Sequence, residues 1–404
     1  MKKRYSERKL FELAEKHLAP NYEPFPVIVK RAKGCWVWDV KGRKYLEMLS
    51  GYSVVNCGHR HPRVIRAAKE QLNMVTNCPR KFLSEELILL AKELTEFCGM
   101  EMVLFMNSGT EVFDTAVKLA RKWAYTRKKK RALRNQAEII VCKDNFHGRT
   151  IAAISASTVP QYKGLFGPLM PGIKYVPFDD TQALCKAITP NTAAFIVEPI
   201  LGEGGIMIPN YNYLRECKKI CRKADILFIL DEVQTGFART GRMFACDHED
   251  IKPDILLLAK ALSGGISPIS AVVSSRKILS VFKPGDHGST FGGNPFACHI
   301  AREVLRVLKE EHLAERAAEL GRYFMEKLKD IDSPHVKEVR GKGLLIGVEV
   351  RETGPTAHEF CERLIKSGIL CSDTKKYVIR FAPPLTITRK ELDWALERIK
   401  RVLS

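Results

Sequence analysis

The chain contains two apolar runs, Ile226-Leu-Phe-Ile-Leu-Asp231 and Ile255-Leu-Leu-Leu-Ala-Lys260, and each of them ends in one charged residue. An uninterrupted apolar run of this length predicts a strand buried on both faces, with the charged residue at its carboxyl end. Ligands of open α/β sheets bind at that edge, where an unused carboxylate or ammonium group is costly to bury. The two runs therefore predict an α/β protein with a binding site around Asp231 and Lys260.

One cofactor requires both of these groups. Pyridoxal phosphate forms a Schiff base with a lysine amine through its aldehyde, and its ring nitrogen stays protonated beside an anionic partner. Charged strand ends also occur without any cofactor, where they pair with each other or with water. The neighbouring residues favour the cofactor, because Asp231 begins the sequence Asp-Glu-Val-Gln-Thr-Gly and Lys260 precedes Gly264 and Gly265, which allow close backbone approach.

A third segment predicts an anion site. The apolar run 103–106 is followed by small polar residues, and apolar residues then recur at helical spacing up to Trp123. Ser108, Gly109 and Thr110 therefore lie at a helix N-terminus, where free N–H groups and the helix dipole bind anions. An ordinary helix cap has the same sequence, so this segment indicates a phosphate site only together with the two strand ends.

Together these motifs resemble the class III aminotransferases of fold type I, which use pyridoxal 5′-phosphate. The resemblance covers nearly the whole chain, since the pieces Gly-Asn-Pro (293–295), Val-Arg-Gly-Lys-Gly-Leu-Leu (339–345) and Ile-Arg-Phe-Ala-Pro-Pro (379–384) follow in the family's order. It implies a largely parallel seven-stranded sheet with helices on both faces, plus a smaller α+β domain. We expect an N-terminal segment (1–54), a large cofactor-binding α/β domain (55–300) and a small C-terminal domain (301–404).

The resemblance also implies roles for individual residues. Lys260 would form the Schiff base and move the proton, while Asp231 would pair with the pyridine nitrogen. Phe146 would stack on one face of the cofactor ring and Val233 on the other, and Gln234 would hydrogen-bond its phenolic oxygen. The remaining cofactor residues would hold the phosphate: Ser108, Gly109 and Thr110, with Ser289 and Thr290 reaching it from a neighbouring subunit. That contact implies a homodimer.

Within the class, the chain is most similar to ornithine aminotransferases, which implies L-ornithine, 2-oxoglutarate and L-glutamate as substrates. Ornithine must present its distal amine to the cofactor, so its α-carboxylate needs a distant anchor, for which a guanidinium is suited. Arg149 would be that anchor, with Tyr22 and Tyr52 beside it. Arg380 would bind the α-carboxylate of glutamate, and Glu203 would pair with Arg380 in the ornithine half-reaction and swing away in the other.

Other donors stay open from the sequence. Acetylornithine, 4-aminobutyrate and other ω-amino acid aminotransferases share most of the cofactor motif, and the pair Tyr22 and Tyr52 favours ornithine. Departures from the usual ornithine pattern could extend the donor range without affecting the strand-end pair. They are Leu201 in place of a glutamine, Gly204 in place of an alanine, and Phe113 and Asp114 in the helix after the phosphate loop.

Composition limits the class of protein. The 404 residues, of which 45% are hydrophobic, suit two or three domains, and no apolar run approaches the roughly 18 residues of a membrane span. The 12 cysteines contain no Cys-x-x-Cys pair, and the ten histidines form no metal-binding pattern. We therefore expect a cytoplasmic protein with no metal and no membrane association.

The net charge of +20 is the feature that an aminotransferase explains least. A non-catalytic, nucleic-acid-binding protein would use such a charge, and the densest basic run is 127–134. No sequence signature of an RNA- or DNA-binding fold accompanies this run, and aromatic residues are not interleaved with it. We expect weak, non-specific nucleic-acid adsorption at low salt and no specific binding.

Overall fold

The computed structural model describes residues 5–127 and 135–404, so residues 128–134 of the basic run lie outside the described residues. The helices are α1 Glu7–His17, α2 Ser50–Ser53, α3 Pro62–Leu72, α4 Glu85–Cys98, α5 Gly109–Arg127, α6 Ile151–Ser155, α7 Pro160–Lys163, α8 Thr181–Ala187, α9 Tyr213–Lys223, α10 Arg276–Leu279, α11 Pro295–Glu310, α12 Leu313–Lys329, α13 Ala357–Lys366 and α14 Arg389–Leu403. The strands are β1 Val29–Lys33, β2 Trp36–Asp39, β3 Lys44–Glu47, β4 Met102–Met106, β5 Glu138–Cys142, β6 Ile173–Val176, β7 Thr192–Val197, β8 Leu227–Asp231, β9 Ile255–Leu258, β10 Ser270–Ser274, β11 Val336–Lys342, β12 Leu345–Val350, β13 Ile369–Leu370, β14 Ser372–Thr374 and β15 Val378–Phe381.

The central sheet has seven strands in the order β4-β10-β9-β8-β7-β5-β6. Strands β6, β5, β7, β8 and β9 pair in parallel, whereas β10 runs antiparallel to both β4 and β9. The two runs that we quoted first are thus neighbours in the middle of the sheet. This confirms the predicted fold class, a largely parallel seven-stranded sheet of fold type I.

The apolar runs are continuous because both faces of the sheet are covered. Leu227 and Ile229 of β8 belong to the hydrophobic cluster that includes α5, whereas Phe228 and Leu230 belong to the cluster that includes α9 and α11. Fully burying one such side chain stabilises the fold by roughly 1.5–3 kcal/mol. No helix in the described ranges is long and apolar enough to cross a membrane.

Both strands end close to where the sequence predicts. Asp231 is the last residue of β8 rather than the first residue after it, and β9 ends at Leu258. Lys260 then begins a short 3-10 turn with a φ of +42°, a left-handed conformation that is rare for a lysine. The backbone therefore turns sharply at the residue that the sequence places at the site.

Two smaller sheets flank the central one. The first has the order β1-β2-β3-β13 and the second β11-β12-β15-β14. Because β3 pairs in parallel with β13, the N-terminal hairpin and the C-terminal part of the chain share a sheet. The predicted boundary between residues 300 and 301 lies within α11, and the division into three parts stays a prediction.

Candidate active site

A cavity of about 170 Å³ lies at the carboxyl ends of the central strands. It brings together residues from β8, the start of α5, the turn after β9 and the loop after β5. Seven of its lining residues are among those predicted from the sequence: Gly109, Thr110, Phe146, Asp231, Val233, Gln234 and Lys260. Three were not predicted, namely His147, Gly148 and Glu198.

Asp231 is held by two neighbours. Its Oδ2 lies 2.6 Å from His147 Nδ1, and its Oδ1 accepts a hydrogen bond from the N–H of Val233 at 3.1 Å. The His147 ring is buried, and it stacks on Phe113 with ring centroids 4.7 Å apart and 6° between the planes. Because a carboxylate accepts, His147 donates from Nδ1, which fixes the orientation of the aspartate. Phe113, one of the departures from the family pattern, thus packs against this pair.

Glu198 follows β7 and is a second buried carboxyl group in the cavity. Its two oxygens accept hydrogen bonds from the N–H groups of Phe146 at 2.8 Å and Gly202 at 3.3 Å. Burial raises the pKa of Glu198 to about 7. The signal that could have identified it is the one used for Asp231, since an apolar strand again delivers a carboxylate at its end.

Lys260 lies beside groups of both signs. Burial lowers the pKa of its amine, against the opposing effect of the Glu203 carboxylate. A lowered pKa leaves a larger fraction of the amine neutral at a given pH, and the neutral amine is the nucleophilic form. The environment of Lys260 therefore suits attack on a carbonyl carbon.

The N-terminus of α5, where the sequence predicts an anion site, lies at the cavity. The helix begins at Gly109, and Gly109 and Thr110 line the cavity. Ser108 does not line it, because its hydroxyl and its N–H are both bonded to the Glu111 carboxylate, at 2.9 and 2.7 Å, in a capping arrangement. A Cβ on Gly109 would lie 2.9 Å from Val233 Cγ1, so the helix start and Val233 approach closely.

Arg380, Glu203 and Tyr52, which the resemblance predicts to bind substrate, lie together. The Arg380 side chain on β15 is 2% exposed and its Nη1 pairs with Glu203 Oε1. Burial alone would raise the pKa of Glu203, but the Arg380 guanidinium outweighs it and lowers the pKa overall. The Tyr52 ring centroid lies 5.0 Å from Arg380 Cζ. The pair expected to act as a switch is thus formed within a single chain.

Ser108 and the cluster of Arg380, Glu203 and Tyr52 do not line this cavity, and four more predicted residues lie outside it as well. Tyr22 is 81% exposed, and the exposed Arg149 stacks on the Tyr162 ring, with its Cζ 3.6 Å from the centroid. Ser289 accepts a hydrogen bond from Asn107 Nδ2 at 2.8 Å, and the next residue, Thr290, is exposed. One chain alone therefore does not bring these four side chains to the cavity.

Comparison with known proteins agrees with this geometry. The model of the family Aminotransferase class-III matches residues 17–403, which is nearly the whole chain. The chain belongs to the class III aminotransferases. This confirms the family predicted from the motifs, and an aminotransferase of this class is an enzyme that uses pyridoxal 5′-phosphate.

Several members of the class are similar to this aminotransferase over their full length. The ornithine aminotransferase of Halalkalibacterium halodurans is 52% identical over 394 residues, with 98% of each chain covered. The crystal structure of the ornithine aminotransferase of Toxoplasma gondii has a TM-score of 0.97 and 43% identity, covering 99% of this chain and 96% of that one. A second structure of that enzyme is described with partial occupancy of the cofactor at its active site. The acetylornithine aminotransferase of Elizabethkingia anophelis has a TM-score of 0.89 and 41% identity, covering 99% and 98%.

The cavity of this class III aminotransferase fits the cofactor of its family. It offers an amine of lowered pKa for the aldehyde, a carboxylate for the ring nitrogen and a helix N-terminus for the phosphate. Gln234 Oε1 and His147 Nε2 are buried without a hydrogen-bond partner among the described residues. A Cβ on Gly148 would lie 2.4 Å from Thr110 Oγ1, so glycine keeps the phosphate end of the cavity open.

Proposed function

We propose that this aminotransferase transfers the distal amino group of L-ornithine to 2-oxoglutarate. A ping-pong reaction would give glutamate-5-semialdehyde, which cyclises to pyrroline-5-carboxylate, and L-glutamate. The observation that carries this proposal is the buried ion pair of Arg380 and Glu203 next to Tyr52. The ornithine aminotransferases that match over their whole length support the same donor.

Five residues of the cavity would have separate tasks in this reaction. Bound pyridoxal 5′-phosphate supplies an electron sink for the carbon that carries the amino group. Lys260 would hold the cofactor through Nζ and use the same atom to move a proton between the two reacting carbons. Asp231, oriented by His147, would keep the ring nitrogen protonated. Phe146 and Val233 would enclose the ring.

The ion pair explains how one cavity accepts two substrates. With Glu203 on Arg380, the guanidinium is neutralised and does not attract the α-carboxylate of ornithine. Breaking a buried pair by removing one partner costs roughly 3–5 kcal/mol, unless another carboxylate replaces the lost one. Glutamate brings that carboxylate, because its α-carboxylate must lie near Arg380 when its α-amine reacts. The Glu203 side chain is 26% exposed, so an outward rotamer would bring its carboxylate to water.

The distant anchor for ornithine would lie next to the cavity. Arg149 neighbours the cavity through Phe146, with 5.7 Å between its Cζ and the phenyl centroid. Its guanidinium has no acidic partner in the described chain, so it is available to a carboxylate. We propose that Arg149, Tyr22 and Tyr52 hold the α-amino acid end of ornithine.

We also propose that the enzyme is a homodimer. A second cavity, of about 520 Å³, is lined by Leu83, Ile88, Phe105 and Ser289 among others. Apolar side chains around it are exposed, Leu83 by 73% and Phe291 by 58%. An exposed apolar region of this kind favours a protein interface. A second copy covering it would bring Thr290, beside Phe291, to the partner's phosphate site.

The location in the cell stays a proposal as well. All 12 cysteines are free thiols, and most of them are buried. Free thiols are the usual state of cysteine in a reducing compartment. This supports the cytoplasmic location that we expect from the sequence.

N-acetylornithine is the second candidate donor, because an acetylornithine aminotransferase has the same fold and 41% identity. Leu201 and Gly204, which depart from the ornithine pattern, flank Glu203. A Cβ on Gly204 would lie 2.8 Å from Leu201 Cβ and 2.8 Å from the Asp144 carbonyl oxygen. An alanine at position 204 would therefore not fit this loop without a shift of its neighbours.

The test is a comparison of donors. The cofactor-loaded enzyme is incubated with 2-oxoglutarate and L-ornithine, N-acetylornithine or 4-aminobutyrate, and glutamate and trapped pyrroline-5-carboxylate are measured. We expect kcat/KM to be highest for ornithine, with pyrroline-5-carboxylate as its product. A higher kcat/KM for another amine would replace the proposed donor, and no turnover with any amine would contradict the proposed reaction.

A further inference from the structure

The turn that carries Tyr52 has an unusual backbone conformation. Ser50, Gly51, Tyr52 and Ser53 follow one another with φ values of 52°, 53°, 62° and 67°. This left-handed region is unfavourable for a residue other than glycine, because the Cβ comes too close to the following carbonyl oxygen. Strain of this kind persists only where the surrounding structure holds it, and it is concentrated at functional sites. Contacts with neighbouring residues must therefore stabilise the left-handed conformation of this turn.

Two buried charged side chains hold the first half of this turn. Arg239 Nη2 donates a hydrogen bond to Ser50 Oγ at 3.1 Å. Glu47 Oε1 accepts hydrogen bonds from the N–H groups of Leu49 at 2.8 Å and Gly51 at 3.4 Å. Hydrogen bonds to charged groups are stronger than those between neutral groups, so they offset the strain of the turn. The turn is thus fixed by its neighbours rather than by its own sequence.

Arg239 also reaches the strand end that carries Arg380. Its Nη1 donates to the carbonyl oxygens of Pro383 at 2.6 Å and Leu344 at 3.0 Å. Ser50 Oγ in turn donates to the carbonyl oxygen of Ala382 at 2.7 Å. One guanidinium therefore connects the turn of Tyr52 to the end of β15, two to three residues beyond Arg380.

The cost of this arrangement is high. Arg239 is fully buried, and its four acceptors are neutral oxygens, of Ser50, Asn56, Leu344 and Pro383. Burying a cation without a carboxylate in contact is unfavourable. Burial lowers the pKa of this guanidinium to about 9. A residue that only filled the core would be replaced by an apolar one at lower cost.

We propose that Arg239, acting through Ser50, is a positioning residue for substrate selection. It fixes the left-handed turn so that the Tyr52 ring lies 5.0 Å from the centre of the Arg380 guanidinium. A ring at this distance restrains the guanidinium from one side while Glu203 neutralises it. The inference rests on the proposed function, because only an enzyme that chooses between two carboxylate positions needs Arg380 held in this way.

Ser50→Ala tests the inference. Replacing Arg239 itself would leave four buried acceptors without a donor, so the smaller change at Ser50 is preferable. We expect Ser50→Ala to lower kcat/KM for δ-transfer from L-ornithine about tenfold. In a protein that already carries Tyr52→Ala, the same change should lower it less than about twofold, because residues that act through one another are not additive. If Ser50→Ala lowered kcat/KM by the same factor in both backgrounds, the inference would be overturned.

Ser274→Ala is the matched control. Ser274 is also fully buried and donates a hydrogen bond to a carbonyl oxygen, that of Asp254, but it pairs with Ile255 at the opposite end of β9 from Lys260. Both serine variants should lower the midpoint of thermal unfolding, and only Ser50→Ala should change kcat/KM. An equal loss of kcat/KM in the control would also overturn the role of the turn. Absence of δ-transfer in the unsubstituted enzyme would instead contradict the proposed function.

Discussion

At the scale of single residues, Lys260 is the group on which the proposed chemistry depends. Burial lowers the pKa of its amine, against the opposing effect of the Glu203 carboxylate. Lys260→Ala should still bind pyridoxal 5′-phosphate, because the phosphate and ring contacts remain, but turnover should fall by roughly 10²–10⁴-fold, the usual range for a lost acid-base group. Equilibrium dialysis and steady-state rates measure the two effects separately. A variant with normal multiple turnover would exclude Lys260 as the proton carrier.

Glu203 controls which amine of ornithine reacts. Glu203→Ala leaves Arg380 buried and unpaired, so the α-carboxylate of ornithine should bind there and its α-amine should react. We expect the ratio of δ- to α-transfer to fall at least tenfold, while the rate with glutamate stays equal or rises. Glu338→Ala is the control, because Glu338 also pairs with an arginine, Arg340, but is 54% exposed. Retained δ-selectivity in Glu203→Ala would contradict the switch.

The sequence reveals these residues to different extents. Asp231 is evident because an apolar strand leads directly to it, and the same pattern identifies Glu198 in retrospect. His147 is not evident, because its contact with Asp231 joins the loop after β5 to the end of β8, 84 positions apart. Spacing along the chain carries no information about such a contact.

At the scale of elements, the loop that carries Glu203 is held by the second small sheet. Thr374 Oγ1 donates to the carbonyl oxygen of Glu203 at 2.8 Å, and Arg340 donates to those of Gly205 at 2.7 Å and Ile206 at 3.2 Å. The backbone of the loop is therefore fixed on both sides of Glu203. Movement of the switch is confined to the side chain.

Removal of this support should affect stability and selectivity together. The Arg340 side chain is 11% exposed, so Arg340→Met should lower the free energy of unfolding by roughly 2–4 kcal/mol through its lost hydrogen bonds. It should also lower the δ-to-α ratio with ornithine. Lys337→Met is the control, because Lys337 pairs with the same Glu349 from the surface and its loss should change the free energy of unfolding much less. Urea unfolding gives the free energy of unfolding of both variants. Equal losses would contradict the role of Arg340 in holding the loop.

The elements also show where prediction from sequence ends. Strands β8 and β9 are predicted because burial on both faces leaves an unbroken apolar run. The left-handed turn α2 is not predicted, because its conformation depends on Arg239, which lies 189 positions from Ser50. The direction of β10 is likewise set by pairing with β4 and β9, and not by its own residues.

At the scale of the whole molecule, one buried carboxyl group predicts a pH dependence of stability. The pKa of Glu198 is 4.5 in the unfolded chain and about 7 in the fold. Between these values the folded state retains a proton that the unfolded state has lost, so the free energy of unfolding should fall as the pH rises, by roughly 3 kcal/mol in total. Glu198→Gln should lack this contribution. Urea unfolding of both apoproteins from pH 5 to 8 measures this effect. If their free energies of unfolding differed by the same amount at every pH, the raised pKa would be contradicted.

The proposed homodimer should depend on the exposed apolar region around the second cavity. Leu83→Lys puts a charge on the exposed apolar region around the second cavity and should weaken self-association at least tenfold, because an ammonium is costly to bury there. Tyr211→Lys is the control, since Tyr211 is 74% exposed but lies away from that cavity. Each copy carries a net charge of +20, so repulsion opposes association and added salt should strengthen the dimer. Sedimentation over a concentration series gives the dissociation constant of the dimer for all three proteins. An unsubstituted chain that stays monomeric at micromolar concentration would contradict the dimer.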